Sequence, residues 1–129
     1  LLALEMGGNN PLIVWPPVDA DAAANLIVHS AFVSSGQRCS CARRRILPEC
    51  AAGDSILAAL KSLVASVRVG PPREDVFMGP LAHERAAASV AAFADDLVRR
   101  GAKAIVAPKI EGAFAHPSLI DVTGVDAPD

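Results

Sequence analysis

"SSGQRCSCARRR", Ser34–Arg45, holds two of the chain's three cysteines, Cys39 and Cys41, between a Gly-Gln-Arg turn and an arginine run. Upstream, Asp19 offers a helix N-cap and Asp21 adds negative charge to the first turn, so a helix is expected from there to about Ser34. Its apolar stripe would be Ala23, Leu26, Ile27, Ser30 and Val33. Gly36 is a natural stop. Downstream, "RRRILP" has strand character. The stretch therefore carries the chain from a helix into a strand through small residues, where the backbone can turn sharply and present a side chain. Cysteine is a useful nucleophile only as its thiolate, a form favoured by nearby positive charge or backbone N–H groups. Arg38 is adjacent to Cys39 and Arg43 lies four on. The competing reading is a small packed thiol cluster without chemistry. If the segment is extended, the thiols of Cys39 and Cys41 point to one side.

Working outward, "NPLIVW" (10–15) is a short apolar β-prone run after two glycines and reads as a buried strand closed by Pro16 and Pro17. A second helix is expected from near Asp54, with Ile56, Leu57, Leu60, Leu63, Val64 and Val67 on one face. "VGPPRED" breaks it. "MGPLAHERAAASVAAFADDLVRRG" gives a third helix with Val90, Phe93 and Leu97 inward and Gly101 beyond its end. "KAIVAP" is a third strand, and "HPSLIDVTGVDAPD" reads as extended or irregular. The order β-α-β-α-α-β predicts an α/β layer with a mostly parallel sheet flanked by helices.

The totals restrict the class of function. A chain of 129 residues fits one domain with a real core. With 12 basic and 14 acidic side chains the net charge is −2, which argues against nucleic acid and anionic membrane surfaces as partners. No apolar run approaches the roughly 18 residues of a spanning helix. "LLALEMGG" lacks the features of a signal peptide. The odd cysteine count points to a reducing compartment, and a cytoplasmic location is expected. The chain opens on an apolar run without an initiator Met and stops at "DAPD" without a closing element, so it reads as a piece of a longer protein.

Other candidate chemistry is sparse. In "LEMGGNNP", Glu5 precedes two glycines at the edge of a strand, which suits either a carboxylate able to swing to a reacting centre as general base or a solvated residue before a turn. No GxGxxG is present. Cys39-x-Cys41 with a distant Cys50 lacks the ligand spacing of a zinc site, and no metal is expected. His29, His83 and His116 read as packed or solvated residues. Arg43 and Arg45 should face one way and Arg44 the other, so the arginine run makes no single anion patch. Arg99 and Arg100 complement a helix dipole.

Taken in order, "LEMGGNNPLIV", the Asp-Ala-Asp helix start, "FVSSGQRCSCARR", "VGPP…MGPL" and "GAKAIVAP…HPSLIDVTGV" resemble the aldehyde dehydrogenase superfamily along essentially the whole chain. Glu5 and Cys39 stand 34 positions apart (39 − 5), similar to the family's spacing of base and nucleophile. Within the superfamily, "EMGGNNPLI", "GQRCSCARR", "GDSILAAL" and "DVTGV" resemble the succinylglutamate semialdehyde dehydrogenases of arginine breakdown. The resemblance implies the nucleophile-bearing lobe of that fold, incomplete, with residues 1–129 a partial catalytic domain and the cofactor-binding domain largely absent from this chain.

It further implies that Cys39 attacks a small-molecule aldehyde and that hydride passes to NAD, with NADP left open. Glu5 would activate the water that hydrolyses the thioester, and Met6 would give backbone contact near the nicotinamide. The oxyanion would be held by the Cys39 N–H and by an asparagine that lies upstream in the family. Gly36 and Gln37 would shape the turn, and Cys41 would have no catalytic role. The full-length parent would be a homo-oligomer, and the isolated chain would neither bind NAD well nor turn over. Two other classes compete: a non-catalytic remnant or interaction module with an inert thiol, and a redox sensor pairing Cys39 with Cys41, which the two-residue gap would strain.

Overall fold

A computed structural model describes residues 2, 7–15 and 18–126. Strand β1 (Asn10–Ile13) leads to helix α1 (Ala20–Phe32), a 3-10 turn (Val33–Gly36) and strand β2 (Ala42–Ile46). Helices α2 (Ala51–Ser66) and α3 (Glu84–Arg99) follow. The chain then makes β3 (Lys103–Val106), β4 (Ile110–Glu111), β5 (Phe114–Ala115) and β6 (Leu119–Asp121).

Asp19 starts α1 as expected, its carboxylate accepting the Ala22 N–H at 2.8 Å. The buried stripe is Ala23, Ala24, Ile27, Val28 and Ala31, one position round from the expected face, and Leu26 is left exposed. Packing against α2 explains the rotation, because the alanines let the two helices approach and seat Ile27 against Ile56, Leu60 and Val64. Leu12 and Val14 from the β1 side, Ile105 and Val106 of β3, and Leu119 of β6 close the same core. Helix α2 begins three residues before Asp54, after Cys50 as N-cap. Gly53 there packs so tightly that a Cβ would stand 1.9 Å from the Pro48 carbonyl oxygen.

On α3, Leu97 is inward as expected, but its buried companions are Ala87 and Ala94, and Val90 and Phe93 are exposed. Among the described elements that helix packs mainly on the two-residue strands β4 and β5, which offer too little surface to cover a full apolar stripe. His83 caps α3, its Nδ1 accepting from the Ala86 N–H at 2.9 Å. Asp96 pairs with both Arg99 and Arg100.

The α/β class is what the structure shows, while the mostly parallel sheet needs correction. Among the described residues β1 and β2 pair in parallel, and β3–β6 and β4–β5 pair antiparallel. The reason is connection length. Helix α1 supplies the long crossover that parallel strands need, whereas β4 and β5 are joined by Gly112 and Ala113 alone, a loop that can only reverse the chain. Gly112 has a positive φ of 60°, as that turn requires. The tail from His116, expected to be extended or irregular, carries the short strand β6, while β4 and β5 before it went unread because two-residue strands leave no periodicity.

Candidate active site

The segment between α1 and β2 is built by strain and by side-chain ties. After Phe32, Ser34 (φ 55°) and Ser35 (φ 57°) both occupy the left-handed region, and Gly36 follows at φ 69°. Two consecutive left-handed serines persist only where neighbours hold them. The Ser35 hydroxyl donates to the Gly79 carbonyl at 3.0 Å, and the Gln37 carboxamide accepts the Ala82 N–H at 2.9 Å. The motifs "SSGQ" and "MGPLA" are therefore clasped together across the fold.

Arg38–Cys41 forms a turn, with the Cys41 N–H donating to the Arg38 carbonyl at 3.2 Å. The turn separates the two thiols. Cys41 is buried, its Sγ 3.7 Å from the Val33 carbonyl oxygen, while Cys39 stands exposed between exposed Arg38 and Ser40. The extended geometry that would have put both on one side does not occur, because the turn rotates the chain between them. Cys50, also exposed, sits at the start of α2.

On the other flank, the Asn10 carboxamide at the start of β1 donates to the carbonyls of Cys39 and, at 3.2 Å, Cys41. Gly8 lies against the same place, where a Cβ would be 3.2 Å from the Cys39 carbonyl oxygen. The structure thus brings "GGNN" beside "RCSC". Glu5 and Met6, the other two residues expected in the site, lie outside the described residues. Asn10 escaped the sequence reading, although an asparagine beside two glycines at a strand start was the available signal.

The arginine run does not line the site as a patch. Arg43 and Arg44 are exposed, whereas Arg45 turns inward over the Phe32 ring at 5.3 Å and donates from Nη1 to the Arg43 carbonyl. Burial pulls its guanidinium below the ordinary pKa. His29 packs edge-on to Phe77 with ring centroids 5.1 Å apart, and His116 lies 3.8 Å from Glu111.

A model of the aldehyde dehydrogenase family matches residues 1–127. The chain belongs to the aldehyde dehydrogenase family. N-succinylglutamate 5-semialdehyde dehydrogenase of Caulobacter sp. (strain K31) is 46% identical over all of this chain and 27% of its own length. The enzyme of that name from Chromohalobacter salexigens is also 46% identical, with the same coverage. Among solved structures, succinate-semialdehyde dehydrogenase from Burkholderia pseudomallei superposes with a TM-score of 0.83 at 31% identity, over 95% of this chain and 26% of that one. NADP-dependent glyceraldehyde-3-phosphate dehydrogenase from Bacillus halodurans C-125, solved with NADP, gives 0.81 at 34% identity, over 90% of this chain and 24% of that one. The chain therefore spans about a quarter of the length of the relatives it matches.

No glycine-rich turn opens any of the described helices, whose N-caps are Asp19, Cys50 and His83. One open concavity is lined by Arg68, Glu74, Asp75 and His116, another by Asp54, Lys61 and Lys103, and neither takes a residue from the cysteine loop. Among the described residues no cluster of His, Cys, Asp and Glu could hold a metal ion, and no helix is long and apolar enough to cross a membrane.

Proposed function

We propose that, in a polypeptide of its relatives' full length, this chain carries the nucleophile of an enzyme that oxidises an aldehyde to a carboxylic acid through a cysteine thioester. The substrate we infer is N-succinylglutamate 5-semialdehyde, converted to N-succinylglutamate in arginine breakdown. Relatives of that name align at 42–46% identity over nearly all of the chain. The observation that carries the assignment to Cys39 is its exposure at the tip of a strained, tied-down loop whose neighbouring thiol is buried.

In this reading the Cys39 thiolate adds to the aldehyde carbon, and the Cys39 N–H donates to the oxyanion that forms. A nicotinamide cofactor, NAD or NADP, supplies the hydride acceptor when bound. Glu5 then takes a proton from the water that attacks the thioester, releasing the acid and returning the thiolate. Gly8, three positions after Glu5 in the sequence, lies against Cys39, which supports a shared site. Met6 contributes backbone contact near the nicotinamide ring. We assign the main dinucleotide-binding surface to a domain outside this chain, with residues 1–129 part of a catalytic domain, in keeping with the quarter of its relatives' length that the chain spans. The 129-residue chain alone is inactive.

In the full-length protein, Cys39→Ala should lower aldehyde oxidation by at least about 10³-fold. Glu5→Gln should allow one rapid turnover of NADH formation and then stall. Normal steady turnover in Glu5→Gln removes Glu5 from the role, and substantial turnover in Cys39→Ala removes the whole scheme. Measured oxidation by the purified 129-residue chain would refute its inactivity.

A further inference from the structure

We propose that Asn10 is a positioning residue for the Cys39 nucleophile, acting through the backbone of the cysteine turn. The inference rests on the reading of Cys39 given above. Its root is a defect in the strand pairing. Pro11 has no N–H to donate, and the β1–β2 register shifts at that step, from Asn10 opposite Ala42 to Pro11 opposite Arg44. The ladder is thus irregular at Pro11 and ends at the Asn10–Ala42 pair, one residue short of Cys41.

The Asn10 side chain takes over where the ladder stops. Its carboxamide nitrogen has two hydrogens, and it donates to the carbonyls of Cys39 and Cys41, the two that flank Ser40. Fixing the Cys39 carbonyl fixes the plane of the peptide that follows it. Within this chain no packed neighbour sets the direction of this cysteine, because Arg38, Cys39 and Ser40 are all exposed. The backbone is what holds it here. On the far side Ser35 and Gln37 hold the loop to Gly79 and Ala82, but those ties end two residues before Cys39. Asn10 is the described side chain that grips the nucleophile's own carbonyl. Gly8 permits the approach, since a Cβ there would press on both Asn10 and that carbonyl.

The test uses the full-length protein with N-succinylglutamate 5-semialdehyde and NAD. Asn10→Ala removes the donor, and Asn10→Asp keeps the shape but sets a carboxylate against two carbonyl oxygens. Both should slow first-turnover NADH formation about tenfold, matching the loss of two hydrogen bonds, with KM within about twofold. Buried Cys41 should stay as resistant to iodoacetamide as in the parent. Wild-type first-turnover rates in both variants would overturn the proposal. So would a fall in rate accompanied by Cys41 labelling, which marks general loosening of the segment. Cys39→Ala, run alongside, separates the two ideas: if it keeps turnover the nucleophile reading fails. If it is inactive while both Asn10 variants react at the parent rate, only the role of Asn10 fails.

Discussion

Ile27, Ile56 and Leu60 are each 1% exposed where α1 meets α2, whereas Arg38, Cys39 and Ser40, a short distance along the chain, all face solvent. The first region is held by non-directional apolar burial, and many side chains share the work. The second is held by a handful of directional bonds from Asn10, Ser35 and Gln37, and it carries two left-handed serines. Burial gives stability but hides whatever it holds. A reactive group must stay accessible, so its position has to come from hydrogen bonds and backbone constraint, at some cost to stability. The contrast between Cys39 and Cys41, two residues apart, is the same lesson in miniature.

The largest effect that would sharpen this contrast is Leu60→Ala. Deleting a fully buried leucine should cost about 2–5 kcal/mol in a urea melt, while iodoacetamide labelling of Cys39 in the still-folded protein stays unchanged. A change in Cys39 labelling without unfolding would show that core and loop are mechanically coupled. Ser34→Gly works in the opposite direction. Left-handed geometry costs a non-glycine residue roughly 1–2 kcal/mol, and glycine adds about 0.5–1 kcal/mol of chain entropy on folding. A net gain of about 0.5 kcal/mol is expected from those opposing terms, read as a higher urea midpoint. A loss would mean that the loop conformation is not strained at Ser34.

The smallest effect concerns Asp121 at the end of β6. Hydrogen bonds from Thr123, its side chain and then its N–H, hold this carboxyl below the ordinary value. A carboxyl depressed in the folded state contributes stability that is present above its unfolded pKa and lost as pH falls through the folded one. The stability gap between the parent and Asp121→Asn should therefore be small at neutral pH and close below about pH 4. Cys39 labelling should not respond to Asp121→Asn. A gap that widens on acidification would contradict this sign.

Several elements were legible because their signals are local. Asp19 suits a helix start, where its carboxylate accepts a free N–H, and Gly101 suits the end of α3. Faces were less legible. Leu26 and Phe93 fit an apolar stripe as well as the alanines that are buried, and only the partner surface decides between them. Glu5 and Met6 could be named from the sequence, but they fall outside the described residues, so their geometry adds nothing to that reading.

By itself, then, the sequence determined the family, the start of α1 and the candidate thiol, because composition, the Asp19 cap and motif order are properties of the chain alone. The tertiary structure decided which of two nearby cysteines is reachable, which helix faces are covered, and that Asn10 grips the turn. Those depend on what stands opposite each residue in space. Asn10 and Cys39 are 29 positions apart, and no local pattern records that a broken strand register leaves a carboxamide facing a carbonyl.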